Sequence, residues 1–229
     1  KVFLSALTAG LEIGFSYLLI LILVHFLSPK FSEDLVFYIS AFAYPVGFII
    51  VVLGKSILFT EQTSLLALPV FHKRRTFWEL IRMWSIVISG NLIGGIVMTF
   101  LLVLIGINLE IFNYESVAKV AEHVSKGNFF TVFFSAIMAG WLMAVLSWLL
   151  SSTKEIISKI AIIFIITFIV GFAGFHHSIV GNIEVFAGFV FSTSISFTEY
   201  LSFLLAALLG NAIGGVFFVG LLRYRSFAA

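Results

Sequence analysis

Two adjacent imidazoles, His176 and His177, stand between Gly174 and Gly181 inside an apolar run that extends from about residue 158 to residue 191. In hydrocarbon every backbone donor and acceptor must be paired internally, so a helix interrupted at membrane depth persists only where protein buries it or where it lines a wet cavity. An ionisable residue at that depth is expensive to keep and marks a functional site by default. Imidazole suits such a place, because its ordinary pKa of about 6.5 makes it a donor, an acceptor or a proton carrier near neutrality. Ser178 adds a hydroxyl beside the pair and Phe175 an apolar wall. A polar loop outside the membrane is the alternative that these residues alone leave open.

A second polar interruption, Lys55, Ser56, Thr60, Glu61, Gln62 and Thr63, falls inside the apolar run from residue 35 to residue 70. There Leu58 and Phe59 set bulky apolar side chains beside the Thr60 hydroxyl. A broken helix offers free N–H groups where one half starts and free carbonyls where the other ends, so the gap can hold an ion or a polar solute. Both interruptions together predict a narrow apolar pore with polar groups at its centre, gated by dewetting. Lys55 needs a carboxylate or water at that depth, so it is expected to pair with Glu61 or Glu12 or to point into the conduction path.

Other chemistries lack their parts. Neighbouring histidines on a helix diverge by about 100°, and with no cysteine and no acidic cluster beside them no metal centre is expected. There is no GxSxG, HExxH, Walker loop or paired-carboxylate constellation, so neither an enzyme nor a cofactor is expected.

The elements that position these residues follow from composition. Of 229 residues 61% are hydrophobic and 10% charged, where a soluble domain carries about 25% charged, so the chain reads as an all-α, polytopic membrane protein. The net charge of +2 is too small to imply a nucleic-acid partner. Windows long enough to span lie near Val2 to Leu27, Leu35 to Val70, Leu80 to Ile107, Phe129 to Leu150, Lys159 to Phe191 and Tyr200 to Leu222. The second and fifth are too long for one helix and are expected to be broken in two. Lys1, Lys73, Arg74, Arg75, Arg82, Lys154, Lys159, Arg223 and Arg225 fall on one side of these six segments, and Lys30, Lys119 and Lys126 on the other. By the positive-inside rule both termini are expected in the cytoplasm. No signal peptide is visible, and a chain starting at Lys1 is expected to continue upstream.

An internal repeat organises the six segments. Gly90-Asn91-Leu92-Ile93-Gly94-Gly95 recurs as Gly210-Asn211-Ala212-Ile213-Gly214-Gly215, Ala9-Gly10 with Ser16 is echoed by Ala139-Gly140 with Ser147, and Thr60 and His177 mark the two polar breaks. Two halves, about residues 1–110 and 127–229, hold three segments each within a single transmembrane channel domain. Three is odd, so the halves insert with opposite orientation, the inverted-repeat plan whose broken helices meet near the midplane. The glycines fit small-xxx-small helix packing. Asn91 and Asn211 carry amides that need partners in hydrocarbon, either in a broken helix or at a histidine.

These motifs resemble the formate/nitrite transporter family. The resemblance covers almost the whole chain and is carried by Tyr44-Pro45-Val46-Gly47 in the second segment, Leu58-Phe59-Thr60 at its break, Gly90-Asn91-Leu92-Ile93-Gly94 in the third, Phe175-His176-His177-Ser178-Ile179 in the fifth and Gly210-Asn211-Ala212-Ile213-Gly214-Gly215 in the sixth. It implies an aquaporin-like six-helix protomer in a homopentamer, in a bacterial cytoplasmic membrane, passing small monovalent anions such as formate or nitrite together with a proton. It also implies that His177 is the central pore histidine facing Thr60, that Leu58 and Phe59 constrict the path, that Asn211 lies near the histidine, and that Lys126 is the basic residue before the fourth segment. The chain departs from the family pattern at Glu61, Gly140, Gly181, Lys55 and His176. A channel for another small solute such as ammonium, and a non-conducting membrane scaffold, are the rival readings.

Overall fold

The computed structural model describes residues 1–217, so Leu222, Arg223 and Arg225 lie outside the described residues. Four helices, α1 (Val2–Leu27), α5 (Phe77–Asn108), α7 (Phe129–Ser151) and α10 (Phe197–Phe217), are continuous and long and apolar enough to cross a membrane. α2 (Glu33–Ser40) and α3 (Pro45–Leu53) form a fifth such span with a turn at residues 41–44, and α4 (Phe59–Phe71) completes the second segment after a break at residues 54–58. The remaining segment is α8 (Ile156–Phe172), a break at residues 173–177, and α9 (Ser178–Ala187) prolonged by a π-helical turn, Gly188–Ser192. α6 (Tyr114–Val124) joins the two halves.

Two details differ from the sequence expectation. The second segment is interrupted twice, because Pro45 starts α3 and its ring cannot continue the preceding turn. The polar run Thr60–Thr63 sits inside the first turns of α4 rather than in the gap before it.

Helix ends at the polar surfaces are capped by their own sequence. Thr76 and Glu79 form a reciprocal capping box on α5, Ser196 and Glu199 exchange the same bonds at the start of α10, and Asn113 and Asn128 cap α6 and α7. At the two internal breaks, where water is scarce, other side chains must serve.

Glycines set the packing of the frame. A Cβ on Gly10 would strike the Asn91 carbonyl and one on Gly94 the Leu7 carbonyl, which lets α1 and α5 meet backbone to backbone. In the other half, Gly140 stands against the Asn211 carbonyl and Gly214 against the Ile137 carbonyl, so α7 and α10 close in the same way. Gly140, one of the departures from the family pattern, is therefore the repeat partner of Gly10. Outward faces are apolar, with Ile93, Val97, Leu101 and Leu104 on α5 and Leu201, Leu205, Leu209 and Ile213 on α10 all exposed.

Candidate pore site

Each break is held by one asparagine. The Asn91 amide donates to the carbonyls of Ala6 (2.7 Å) and Ile57 (2.9 Å) and accepts the Phe59 N–H (2.8 Å). The Asn211 amide donates to the carbonyls of Ala136 (2.8 Å) and His176 (3.0 Å) and accepts the Ser178 N–H (2.8 Å). Both side chains are fully buried, and each pairs a last carbonyl before a helix and a first N–H within it, groups that the break orphans. Asn211 thus bonds the backbone on either side of His177 rather than its imidazole.

So held, α4 and α9 start at the same place. Thr60 Oγ1, in the first turn of α4, lies 2.6 Å from His177 Nε2, the residue that caps α9. His177 Nδ1 accepts the Val180 N–H at 3.3 Å, so in this arrangement the ring proton is on Nε2 and is donated to Thr60. Thr60 Oγ1 has no other hydrogen-bond partner among the described residues, which leaves its own proton free for an acceptor. The two helix N-termini converge on this pair and put partial positive charge on both sides of it.

The surroundings are apolar and tight. Leu58, Phe59, Thr60 and His177 are all buried, Phe48 meets the His177 ring edge to face at 5.1 Å, and Phe59 packs on Trp84 in the same manner. Ser178 is fully buried and its hydroxyl has no partner among the described residues. Ser147 on α7 donates to the Glu61 carbonyl, which ties α4 to α7, and the Glu61 carboxylate is engaged by Gln62.

A cavity of about 580 Å³ opens from the surface and reaches His177. Asp34, His123 and Lys126 stand at its mouth, and buried Tyr44, His177 and Glu184 at its floor. Phe175 and His176 line its wall, half-buried; the His176 ring is tied to Ser135 Oγ at 2.8 Å. The His123 ring stacks on Phe37. Partial burial holds His123 below the ordinary imidazole range, with Glu33 and Asp34 opposing and Lys126 adding to the effect.

Lys55 is placed differently from the expectation that it pairs. It is exposed, in a left-handed turn conformation with φ of 60°, and the ion pairs among the described residues are Arg75–Glu79 and Lys119–Glu115. Its place in the turn after α3 leaves the side chain exposed on the protomer. Glu12 lies beside Gly54 with one carboxylate oxygen buried and unpartnered.

The formate/nitrite transporter model matches residues 1–225. The chain is 30% identical over 231 residues to the inner membrane protein YfdC of Escherichia coli strain K12, covering 96% of this chain and 70% of that protein. The chain belongs to the formate/nitrite transporter family. It is also 25% identical to the formate channel BtFdhC of Bacillus thuringiensis, over 84% of this chain and 74% of that one. Among solved structures, a pentameric formate channel with formate bound superposes with a TM-score of 0.85 at 21% identity, covering 100% of this chain and 97% of the other. A second, an ion channel of the same family, gives 0.84 at 23% identity, over 98% and 89%. The fold is accordingly the all-helical membrane fold of this family, a family of channels and transporters rather than enzymes.

Three features of this formate/nitrite transporter chain escaped the sequence reading. Glu184 at the cavity floor, the Phe48 ring on His177, and the Ser147 tie to Glu61 were not singled out. Glu184 carried a usable signal, since a carboxylate between Ile183 and Val185 in a spanning run is unexpected on cost alone.

Proposed function

We propose that this protein conducts small monovalent anions of weak acids, formate- or nitrite-like, through the centre of each protomer, together with a proton. One observation carries the reading: the N-termini of α4 and α9 meet at Thr60 and His177, so the approach to the centre of the path favours negative charge. Lys126 at the cavity mouth draws the anion in, Leu58, Phe59 and Phe175 strip its water, and the Thr60 hydroxyl, held by His177 Nε2–H, offers a donor when that water is lost. Ser178 adds a free hydroxyl beside them, Asn211 keeps the break open, and Lys55 adds positive charge near the first break without lying in the narrow section. The same convergence disfavours ammonium, which would cross two positive helix ends.

The protein works as a homopentamer in a bacterial cytoplasmic membrane with both termini in the cytoplasm and the Lys126 mouth outside. The formate channels among its relatives, one of them pentameric, and the YfdC relative at the inner membrane support this reading. Uptake of labelled formate, nitrite and lactate into proteoliposomes, with methylammonium as control, tests it. Anion uptake well above empty vesicles, rising as external pH falls, is expected; methylammonium uptake without anion uptake would overturn it.

A further inference from the structure

Glu184 is 4% exposed, lines the floor of the cavity with His177, and receives no hydrogen bond or ion pair from any described side chain. It follows His177 by seven residues along α9, which returns it to the same helix face about 10 Å further along the helix. Tyr17 of α1, fully buried with an unpartnered hydroxyl, and Tyr44 are within electrostatic reach of its carboxyl. A carboxyl kept in such a place without a countercharge is costly as a carboxylate, and useful as a carboxylic acid that can hand a proton to whatever occupies the cavity.

His177 cannot easily do that. Its Nδ1 caps α9 through the Val180 N–H and its Nε2–H is given to Thr60, so releasing or gaining a proton disturbs the break itself. Other ionisable groups around Glu184 are occupied or distant. Tyr200 of α10 gives its hydroxyl to Asn182, His176 is bound to Ser135, and Asp34 of α2, His123 of α6 and Lys126 stand at the mouth. α5 brings Glu79 and Arg82 only at its far end, the π-helical turn has no ionisable group, and Glu61 lies on α4 beyond Thr60.

We propose that Glu184 is the proton donor of the vestibule, protonating a weak-acid anion that has passed Lys126, so that the neutral acid crosses the constriction at Leu58, Phe59 and Thr60. This rests on the anion reading above. The carboxyl O–H bond of Glu184 breaks as an O–H bond forms on the substrate oxygen. The carboxylate left behind takes its next proton from water at the mouth, and the acid releases its proton on the far side. One proton therefore moves with each anion.

The test uses the full chain in proteoliposomes loaded with a pH-sensitive dye, with formate and methylammonium as probes and empty vesicles subtracted. The wild type is expected to acidify the lumen as formate enters, more strongly at lower external pH. Glu184→Gln should lower formate flux about tenfold near pH 6 and leave a residual flux that no longer varies with pH. Glu184→Asp should keep at least about a third of the flux and the wild-type pH dependence. Glu184→Gln with wild-type flux and pH profile would overturn the inference while leaving the anion reading intact. Equal losses in both variants with the pH profile retained would make Glu184 structural and overturn it too. Methylammonium uptake lost in Glu184→Gln would put the carboxyl in a cation path instead, and a wild type that carries no anion would overturn the anion reading and this one with it.

Discussion

Thr60 and His177, 117 residues apart in the chain, bring a hydroxyl and a ring nitrogen to 2.6 Å where the first turns of α4 and α9 meet. Neither helix could start there unaided, because both begin at membrane depth with orphan N–H groups. The repeat solves this twice with the same residue, and it makes the site a product of the frame rather than of a loop.

Asn91 and Asn211 should therefore behave alike. Each makes three hydrogen bonds to backbone, two of them buried, so Asn→Ala at either position leaves one carbonyl and one N–H of the break unpaired and removes a further bond to a helix carbonyl. A loss of about 2–4 kcal/mol is expected, at the lower end if the loosened helix ends find other partners within the membrane. Thermal unfolding of the purified protein in detergent checks this, with two comparable losses expected. A large loss at one position and none at the other would contradict the symmetry.

Lys55 offers a contrast. It is exposed, makes no ion pair among the described residues and sits at φ of 60°, a conformation that costs a side-chain-bearing residue about 1 kcal/mol. Lys55→Gly is expected to raise stability by about that amount, and Lys55→Ala to change it little. If Lys55→Ala were strongly destabilising and Glu61→Gln or Glu12→Gln recovered the loss, an ion pair would have to be restored to the account.

Lys126 acts at a distance. A unit charge about 10 Å from the anion contributes about 1.7 kcal/mol at an effective dielectric of 20, and salt screens it. Lys126→Ala should lower formate uptake about tenfold at low ionic strength and much less at high salt, at every pH. His123, held below the ordinary imidazole range by partial burial, is already neutral near pH 7, so its charge does not add to that of Lys126 there. Uptake measured across salt concentrations decides the point, and a loss independent of salt would count against long-range attraction.

Much of this was legible in the sequence because the signals were doubled. The motif around Asn91 recurs around Asn211, and the offset relates the breaks as well as the frame. The turn before Pro45 was missed because the apolar run continues through it, so hydropathy averages over a change of direction that only proline marks. α6 was missed although Val117, Val120, Ala121 and Val124 follow a helical period after the Asn113 cap, because it is too short and too polar to be a span. Lys55 was expected to pair with Glu61 or Glu12 or to point into the conduction path, whereas the turn after α3 leaves it exposed and outside the ion pairs of the described residues. Which hydroxyl faces the histidine depends on the meeting of two helices remote in sequence, and the repeat and the family resemblance were what pointed to Thr60.

The central claim is that Thr60 and His177 act as one unit on the permeating anion. A double-mutant cycle on formate flux near pH 6, with Thr60→Val, His177→Asn and the pair combined, tests it most directly. Each single change is expected to slow flux about tenfold and the double change by about the same factor, because the second removes a partner already lost. A double variant slower by about a hundredfold, the product of two independent effects, would contradict the account.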